Sequence, residues 1–325
     1  MLDEKILEIL RNSGESYVSG EDLCKSSGIS RAAIWKRIEK LREEGYDIEA
    51  SPHLGYRLAG IPDSLIPSEV QWKLKTRVFG KAVVSYKKVD STNDIAYSLA
   101  EKGVREGMVI LADEQAKGKG RHGRNWVSPA KSGIYMSCII RPPIAPSEIP
   151  KITLVAAVAV AKAIRQVTGL EATIKWPNDI LIRGEKACGI LTEMRAEQDS
   201  VDFMVLGIGV NVNTPQKSLP KGATSLKEEL RRAKRDEEIS RIELAKKILE
   251  MLDEYYIMLK EKGSKPIIEE WKGLSSMLGS RVKAVLPNRT IEGQAHDIDP
   301  DGALVLRLDS GVLEKVSSGD IVMVR

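Results

Sequence analysis

Apolar residues over the first sixty positions recur at helical spacing and then alternate. Leu2, Ile6, Ile9 and Leu10 predict one helix, stopped by Asn12-Ser13-Gly14. Ser19 opens SGEDLCKSSG, where Ser19 and Asp22 are spaced as a capping box with Asp in place of Glu, and Gly28 supplies a tight turn. Ser30 caps SRAAIWKRIEKLREEG, whose Ile34, Ile38 and Leu41 make one stripe and which Gly45 ends. YDIEASPHLGYRLAG then alternates like two short strands about a turn. This order predicts a winged helix-turn-helix over 1–60.

AGIPDSLIPSE, with Pro62 and Pro67, predicts a linker over 61–68. From 69 to 272, strand-like runs (AVVSYKKV, GMVILAD, GIYMSCII, ATIKWP, ILIRG, KACGILTEM, VDFMVLGIGVNV) are mixed with helical stretches, an α/β pattern. KEELRRAKRDEE is expected to be a solvated helical face or loop. Residues 273–325 hold five or six short alternating strands with turns at PN, DPDG, DSG and SSGD, the pattern of a small SH3-like β-barrel. The fold class expected is multidomain α+β.

The composition agrees with packed domains. Of 325 residues, 42% are hydrophobic and 30% charged, with a net charge of +4, which excludes a disordered chain. The longest apolar run, Leu154 to Ile164, is broken by Lys162, so no membrane helix is expected. Charges are threaded through MLDEKILEIL, unlike a signal peptide. Cys24, Cys138 and Cys188 are scattered and odd in number, as are His53, His122 and His296. Neither a disulfide framework nor a zinc set is expected, and the expected compartment is a reducing cytoplasm.

In a winged helix-turn-helix the last helix enters the major groove by its N-terminus. That offers Ser30, Arg31 and Lys36 to DNA, with the hairpin around His53 against the backbone. Yet residues 1–60 hold nine Lys+Arg against eleven Asp+Glu. DNA binding would rest on a stripe of Arg31, Lys36, Arg37 and Lys40, weak for a monomer and needing a dimer on two half-sites. A winged helix used for protein contacts is the alternative.

Gly118, Gly120 and Gly123 spell G-x-G-x-x-G, but Trp-Val-Ser-Pro follows where a helix should open. Ile140 and Arg141 stand where a ribose-binding carboxylate is needed, and no P-loop is present. A dehydrogenase or P-loop enzyme is therefore not expected. Between Ala116 and Lys131 there are five basic residues and no acidic one. Glycines between cations let a backbone approach an anion closely, so the loop suits a triphosphate or acyl phosphate, mobile until the anion arrives. KWPND sets Asn178 and Asp179 after a strand, where Asp179 could hold Mg²⁺, or be an ordinary turn. Lys186 in KACGIL is either a snorkelling surface lysine or a stabiliser of charge at a reacting carbonyl. Ser91, Thr92 and Asn93 either cap a helix or bind a polar headgroup.

SRAAIWKRI with LGYRL, then DSTN, EQAKGKGRHGRNWVSP, KWPNDI, KACGIL and GIGVNVN, in this order, resemble the bifunctional biotin protein ligases that are also biotin operon repressors. The resemblance covers essentially the whole chain. It implies a central ligase domain with a mixed sheet and helices, and a two-step reaction. Biotin and ATP give biotinyl-5′-AMP and pyrophosphate, and the biotinyl group passes to a lysine of a biotin carboxyl carrier protein domain. Ser91, Thr92, Asn93, Gln115, Lys119, Gly120, Arg121 and Lys186 would bind biotin or biotinyl-AMP. Arg121, Lys186 and Asp179 would be catalytic. Arg124, Trp126 and Asn178 would serve the nucleotide side, and Asp179 the Mg²⁺. The resemblance also implies operator DNA as a partner and a homodimer formed on binding biotinyl-AMP.

The family's loop is usually GRGRRGR, and Lys119 and His122 replace arginines here. Lysine keeps the charge but loses the bidentate fork, so weaker retention of the adenylate is expected. Lipoate–protein ligase is the nearest rival, but its Arg-Arg motif and His-Asp ending are absent and it carries no winged helix. A repressor that senses a small molecule without turning it over is the other.

Overall fold

A computed structural model describes residues 2–197 and 200–324. The chain divides into two compact units, Met1–Ser64 and Leu65–Arg325.

The first unit contains α1 (Leu2–Asn12), α2 (Gly20–Ser27), α3 (Arg31–Glu43), β1 (Asp47–Ser51) and β2 (Gly55–Gly60). Ser19 Oγ accepts from the Asp22 amide at 3.0 Å, and Ser30 Oγ accepts from the Ala33 amide at 3.3 Å. Gly28 closes α2 at φ 74°, a conformation that favours glycine. The stripe that α1 buries is Ile6, Leu7 and Leu10, with Leu2 and Ile9 at its margin. Leu23, Ile34 and Ile38 are buried as well, each fully buried aliphatic side chain contributing about 1.5–3 kcal/mol. β1 and β2 pair antiparallel as the wing, and Gly55 is required there because a Cβ would lie 2.0 Å from Val18 O.

The second unit begins with α4 (Pro67–Gln71), β3 (Val83–Tyr86), α5 (Thr92–Glu101), β4 (Val109–Ala112), β5 (Gly133–Ile140) and α6 (Ile149–Thr168). β6 (Ala172–Lys175), β7 (Asp179–Ile182), β8 (Glu185–Ala196) and β9 (Val201–Asn211) follow, then α7 (Leu226–Arg232), α8 (Arg241–Lys262) and α9 (Lys265–Leu274). Among the described residues the sheet runs β3-β4-β5-β9-β8-β7-β6, parallel only between β3 and β4. All eight residues of β5 are buried, as expected of a strand covered on both faces. Ile139 packs under α5 with Ala96 and Phe203. The alternate residues Met136, Cys138 and Ile140 join the larger core with α6 and α8. The stretch KEELRRAKRDEE begins within α7, where Glu229 and Leu230 are buried, and is exposed from residue 231 to 238, as a solvated face or loop is expected to be. Glu229 is compensated by Thr224 and Arg232, each at 2.7 Å.

The chain ends in β10 (Arg281–Val285), β11 (Thr290–Ile298), β12 (Leu304–Arg307), β13 (Leu313–Val316) and β14 (Asp320–Met323). They form an antiparallel sheet of order β13-β12-β11-β10-β14, whose ladders leave β13 and β14 as edges among the described residues. Trp176, after β6, donates its indole N–H to Gly302 O at 3.0 Å, tying this sheet to the larger one. Cys138 and Cys188 are buried free thiols, and burial pushes Cys138 up to about 12. Among the described residues no helix is long and apolar enough to cross a membrane.

Candidate active site

Ladder register creates the cavity. Tyr135, Gly209 and Gly189 stand opposite one another across β5, β9 and β8, and Ser137, Gly207 and Leu191 form the next row on the same face. Glycines in the middle of a strand leave the pleat bare. A Cβ on Gly207 would lie 2.3 Å from Asn93 Oδ1, and one on Gly209 would lie 2.6 Å from the Trp126 indole nitrogen. Over this floor lies a cavity of about 200 Å³.

Ser91, Thr92, Asn93, Gln115, Lys119, Gly120, Arg121, Arg124, Trp126, Asn178, Asp179 and Lys186 all line that cavity. Ser91 holds the N-cap position of α5, but its side chain makes no capping bond, unlike the ordinary cap that its sequence context suggests. Thr92 donates through its amide and hydroxyl to Gln115 Oε1 at 2.8 and 3.1 Å, and Gln115 donates to Ser128 Oγ at 2.9 Å. Asn93, 5% exposed, donates to Glu193 Oε2 at 2.6 Å, and Ser137 Oγ lies 2.6 Å from Asn93 Oδ1. This end of the cavity is a rigid row of paired polar groups at a helix N-terminus, suited to a neutral, polar ring.

The basic loop is a hairpin. Trp126 N donates to Gly118 O at 2.8 Å and Gly120 N to Arg124 O at 2.7 Å, and the tip is a 3₁₀ turn at Arg121–Gly123. The G-x-G-x-x-G run thus opens no longer helix. His122 sits at the tip with φ 55°, in the left-handed region where His is tolerated better than bulkier residues. Each of four cations meets a carboxylate: Lys117 Asp90, Lys119 Asp94, and Arg121 and Arg124 both Asp320. Arg121 also donates to Asn178 Oδ1 at 3.2 Å and to Gly319 O at 3.1 Å, joining the loop to the last sheet. Burial would raise the pKa of Asp320, but Arg124 and Arg121 hold it below the usual carboxylate range.

Lys186 Nζ lies 2.6 Å from Asp179 Oδ1 and over the Trp126 ring, 5.5 Å from its centroid. Lys186 therefore turns into the cavity rather than snorkelling. The Asp179 contact lacks hydrogen-bond geometry, so Oδ1 is buried without a hydrogen-bond partner, as is the Trp126 indole nitrogen. No group of three His, Cys, Asp or Glu able to hold a metal occurs among the described residues. Asp179 alone fits Mg²⁺ in the mode that takes one carboxylate and substrate phosphates.

In the first unit, Ser30 Oγ is engaged in capping, Arg31 and Lys36 are exposed on α3, and His53 is exposed at the wing turn with φ 68°. The expected basic stripe is shortened, because Arg37 and Lys40 both pair with Asp3 of α1 at 3.1 and 2.8 Å. Trp35, between Arg31 and Lys36 in sequence, is 55% exposed although an apolar residue there reads as core. Ser128, Ser137, Glu193 and Asp320 were also missed. Ser128 and Glu193 stand in or beside the motifs without a charge or glycine pattern to mark them, Ser137 is brought in by ladder pairing, and Asp320 by its ion pairs with Arg121 and Arg124. The alternating glycines of GIGVNVN were the one available signal.

The central unit is thus a mixed sheet that carries a cationic glycine hairpin over a floor of glycines. The Biotin/lipoate A/B protein ligase family matches residues 85–211, an HTH domain matches 3–57, and the biotin protein ligase C-terminal domain matches 277–324. The chain is 38% identical to the bifunctional ligase/repressor BirA of Bacillus subtilis over 98% of both chains. It is 29% identical to that of Escherichia coli over 98% of this chain and 95% of the relative. The biotin protein ligase of Aquifex aeolicus in complex with biotin and ATP superposes with a TM-score of 0.64 at 29% identity, covering 75% of this chain and 99% of that one. The chain belongs to the family of bifunctional biotin ligase–repressors.

Proposed function

We infer that this chain is a biotin–protein ligase and a biotin-responsive transcriptional repressor, and that both half-reactions run in the cavity over Gly189, Gly207 and Gly209. The observation that carries the assignment is the meeting of the paired polar row, the cationic hairpin and Lys186 around one space.

Biotin's ring system fits the end with Ser91, Thr92, Asn93 and Gln115, and its carboxylate extends toward Lys186. The carboxylate attacks the α-phosphate of ATP, the bond to the leaving pyrophosphate breaks, and biotinyl-5′-AMP forms. Both reactants are anions, so the barrier is lowered by cations and placement rather than by a nucleophilic side chain. Placement can be worth about 7–11 kcal/mol in such reactions. Arg121, with Lys119 and Gly120, holds the phosphate, and Lys186 offsets charge at the carboxylate oxygen. Arg124, Trp126 and Asn178 serve the nucleotide. Asp179 would hold Mg²⁺, which supplies further charge neutralisation when bound. In the second step a lysine amine of the carrier protein attacks the anhydride carbonyl and AMP leaves, while the hairpin limits loss to water.

Repression follows by coupling. The adenylate, held under the hairpin, favours a homodimer that sets two winged helices on adjacent operator half-sites through Arg31, Lys36 and His53. The compartment is the cytoplasm, where carrier protein and operator DNA are both reached. The test uses labelled biotin, ATP, Mg²⁺ and carrier domain. Label on the carrier lysine, with pyrophosphate released, is expected. Binding of biotin with neither product would leave a sensing repressor only.

A further inference from the structure

Lys119 and Lys186 are the primary amines on the cavity wall among the described residues. On the ligase reading, on which this inference rests, the same cavity holds an anhydride made to acylate a lysine. The enzyme therefore encloses amines of its own beside its product. An amine attacks only as the free base, because an ammonium has no lone pair.

Lys119 is held as that unreactive form. Its Nζ is bound by Asp94 Oδ1 from the first turn of α5 and lies 3.5 Å from Glu193 Oε1 on β8. Glu193 is itself fixed by the buried Asn93 amide at 2.6 Å, so the carboxylate's place does not depend on Lys119. The Asp94 hydrogen bond and the charge of Glu193 outweigh partial burial and keep Lys119 above the ordinary lysine range. A guanidinium at this position would present no such hazard. The loop gains a cation with lysine but also a nucleophile.

We propose that Lys119 is a latent self-acylation site, and that Asp94 and Glu193 suppress its acylation by tying up its nitrogen. Once released and deprotonated, Nζ attacks the carbonyl carbon of biotinyl-5′-AMP. The C–N bond forms, the bond from that carbon to the phosphate oxygen breaks, and AMP departs with the electron pair. The nitrogen gives one proton to solvent as the amide forms. The product loses the cation and fills the cavity with its own biotinyl group, so self-acylation inactivates the enzyme.

The full chain and its Asp94→Asn/Glu193→Gln variant are incubated with preformed biotinyl-5′-AMP, and acylated lysines are mapped by mass spectrometry. Labelling at Lys119 is expected to be roughly two- to fivefold faster in the variant, the change that follows loss of a partly exposed ion pair. Equal rates in the two proteins would overturn the proposal. Should the variant not fold, wild-type labelling is followed against pH beside an N-acetyl-lysine amide in the same tube. Labelling of Lys119 must rise at a higher pH than that of the free amide, and a coincident rise overturns the proposal. Pyrophosphate release from biotin and ATP is measured on the wild type in parallel. No pyrophosphate defeats the ligase reading, whereas pyrophosphate with Lys119 unaffected by its carboxylates defeats this proposal alone.

Discussion

The buried guanidinium of Arg241, at the start of α8, lies 3.1 Å from Asp113 Oδ1 and 3.3 Å from Gly133 O. Lys131 N donates to Asp113 O at 3.1 Å, so Arg241 braces both ends of the hairpin where they leave the sheet. Arg241→Met would strand Asp113 as an unpaired, mostly buried charge. A loss of about 3–5 kcal/mol is expected, read from the denaturant midpoint, together with faster release of the adenylate. An unchanged midpoint would show that the brace carries no stability.

Gly207 has no room for a side chain. A Cβ there lies 2.3 Å from Asn93 Oδ1, so Gly207→Ala must displace Asn93 and the partners it bonds. Biotin affinity measured by titration calorimetry is expected to fall about tenfold or more, as for loss of one or two hydrogen bonds. ATP binding should change less, because Asn93 bonds Glu193 and Ser137 and none of the groups assigned to the nucleotide.

Arg121 bridges the hairpin, the turn before β7 and the last sheet. Arg121→Gly removes a charged hydrogen-bond donor worth about 1.5–3 kcal/mol. Release of preformed biotinyl-AMP should therefore quicken by roughly ten- to a hundredfold, and bystander lysines should be labelled. Slow release from this variant would move phosphate holding to Lys119 or Arg124.

Asp320 gives the hairpin contact an acid limit. Its folded-state pKa is depressed, with burial outweighed by Arg124 and Arg121. Its stabilisation is thus present above the unfolded value and is lost as pH falls through the folded one. Thermal melts of wild type and Asp320→Asn should converge as pH drops below the ordinary aspartate range, about 3.9, and differ above it. Parallel curves at all pH values would remove Asp320 from the account.

For DNA, Arg31→Ala and Lys36→Ala should each lower the magnitude of the salt slope of operator binding by about one per protomer. Arg37→Ala should act through α1 instead, since its guanidinium is spent on Asp3. It should lower stability and leave the slope nearly unchanged, as gel shifts over a salt series will report.

Local signals made much of this protein legible. Ser19, Ser30 and Gly28 act within one helical turn, so caps and helix limits could be read from neighbours. The wing, the strands of the central sheet and the cationic glycine segment rest likewise on short-range periodicity and charge. In α1 the recurrence of Leu2, Ile6, Ile9 and Leu10 located the helix, and packing then buried Leu7 with Ile6 and Leu10 and left Leu2 and Ile9 at the margin.

What the chain order determined by itself was the set of elements and the chemistry of each motif, since backbone preference and charge are properties of near neighbours. What only tertiary structure decided was which groups meet. Gly189 and Gly209 become one floor through ladder register, Asp320 reaches the hairpin from about two hundred residues away, and Arg37 is drawn off the basic stripe of α3 by Asp3. Pairing across such distances is fixed by packing of the whole core. No local window contains it.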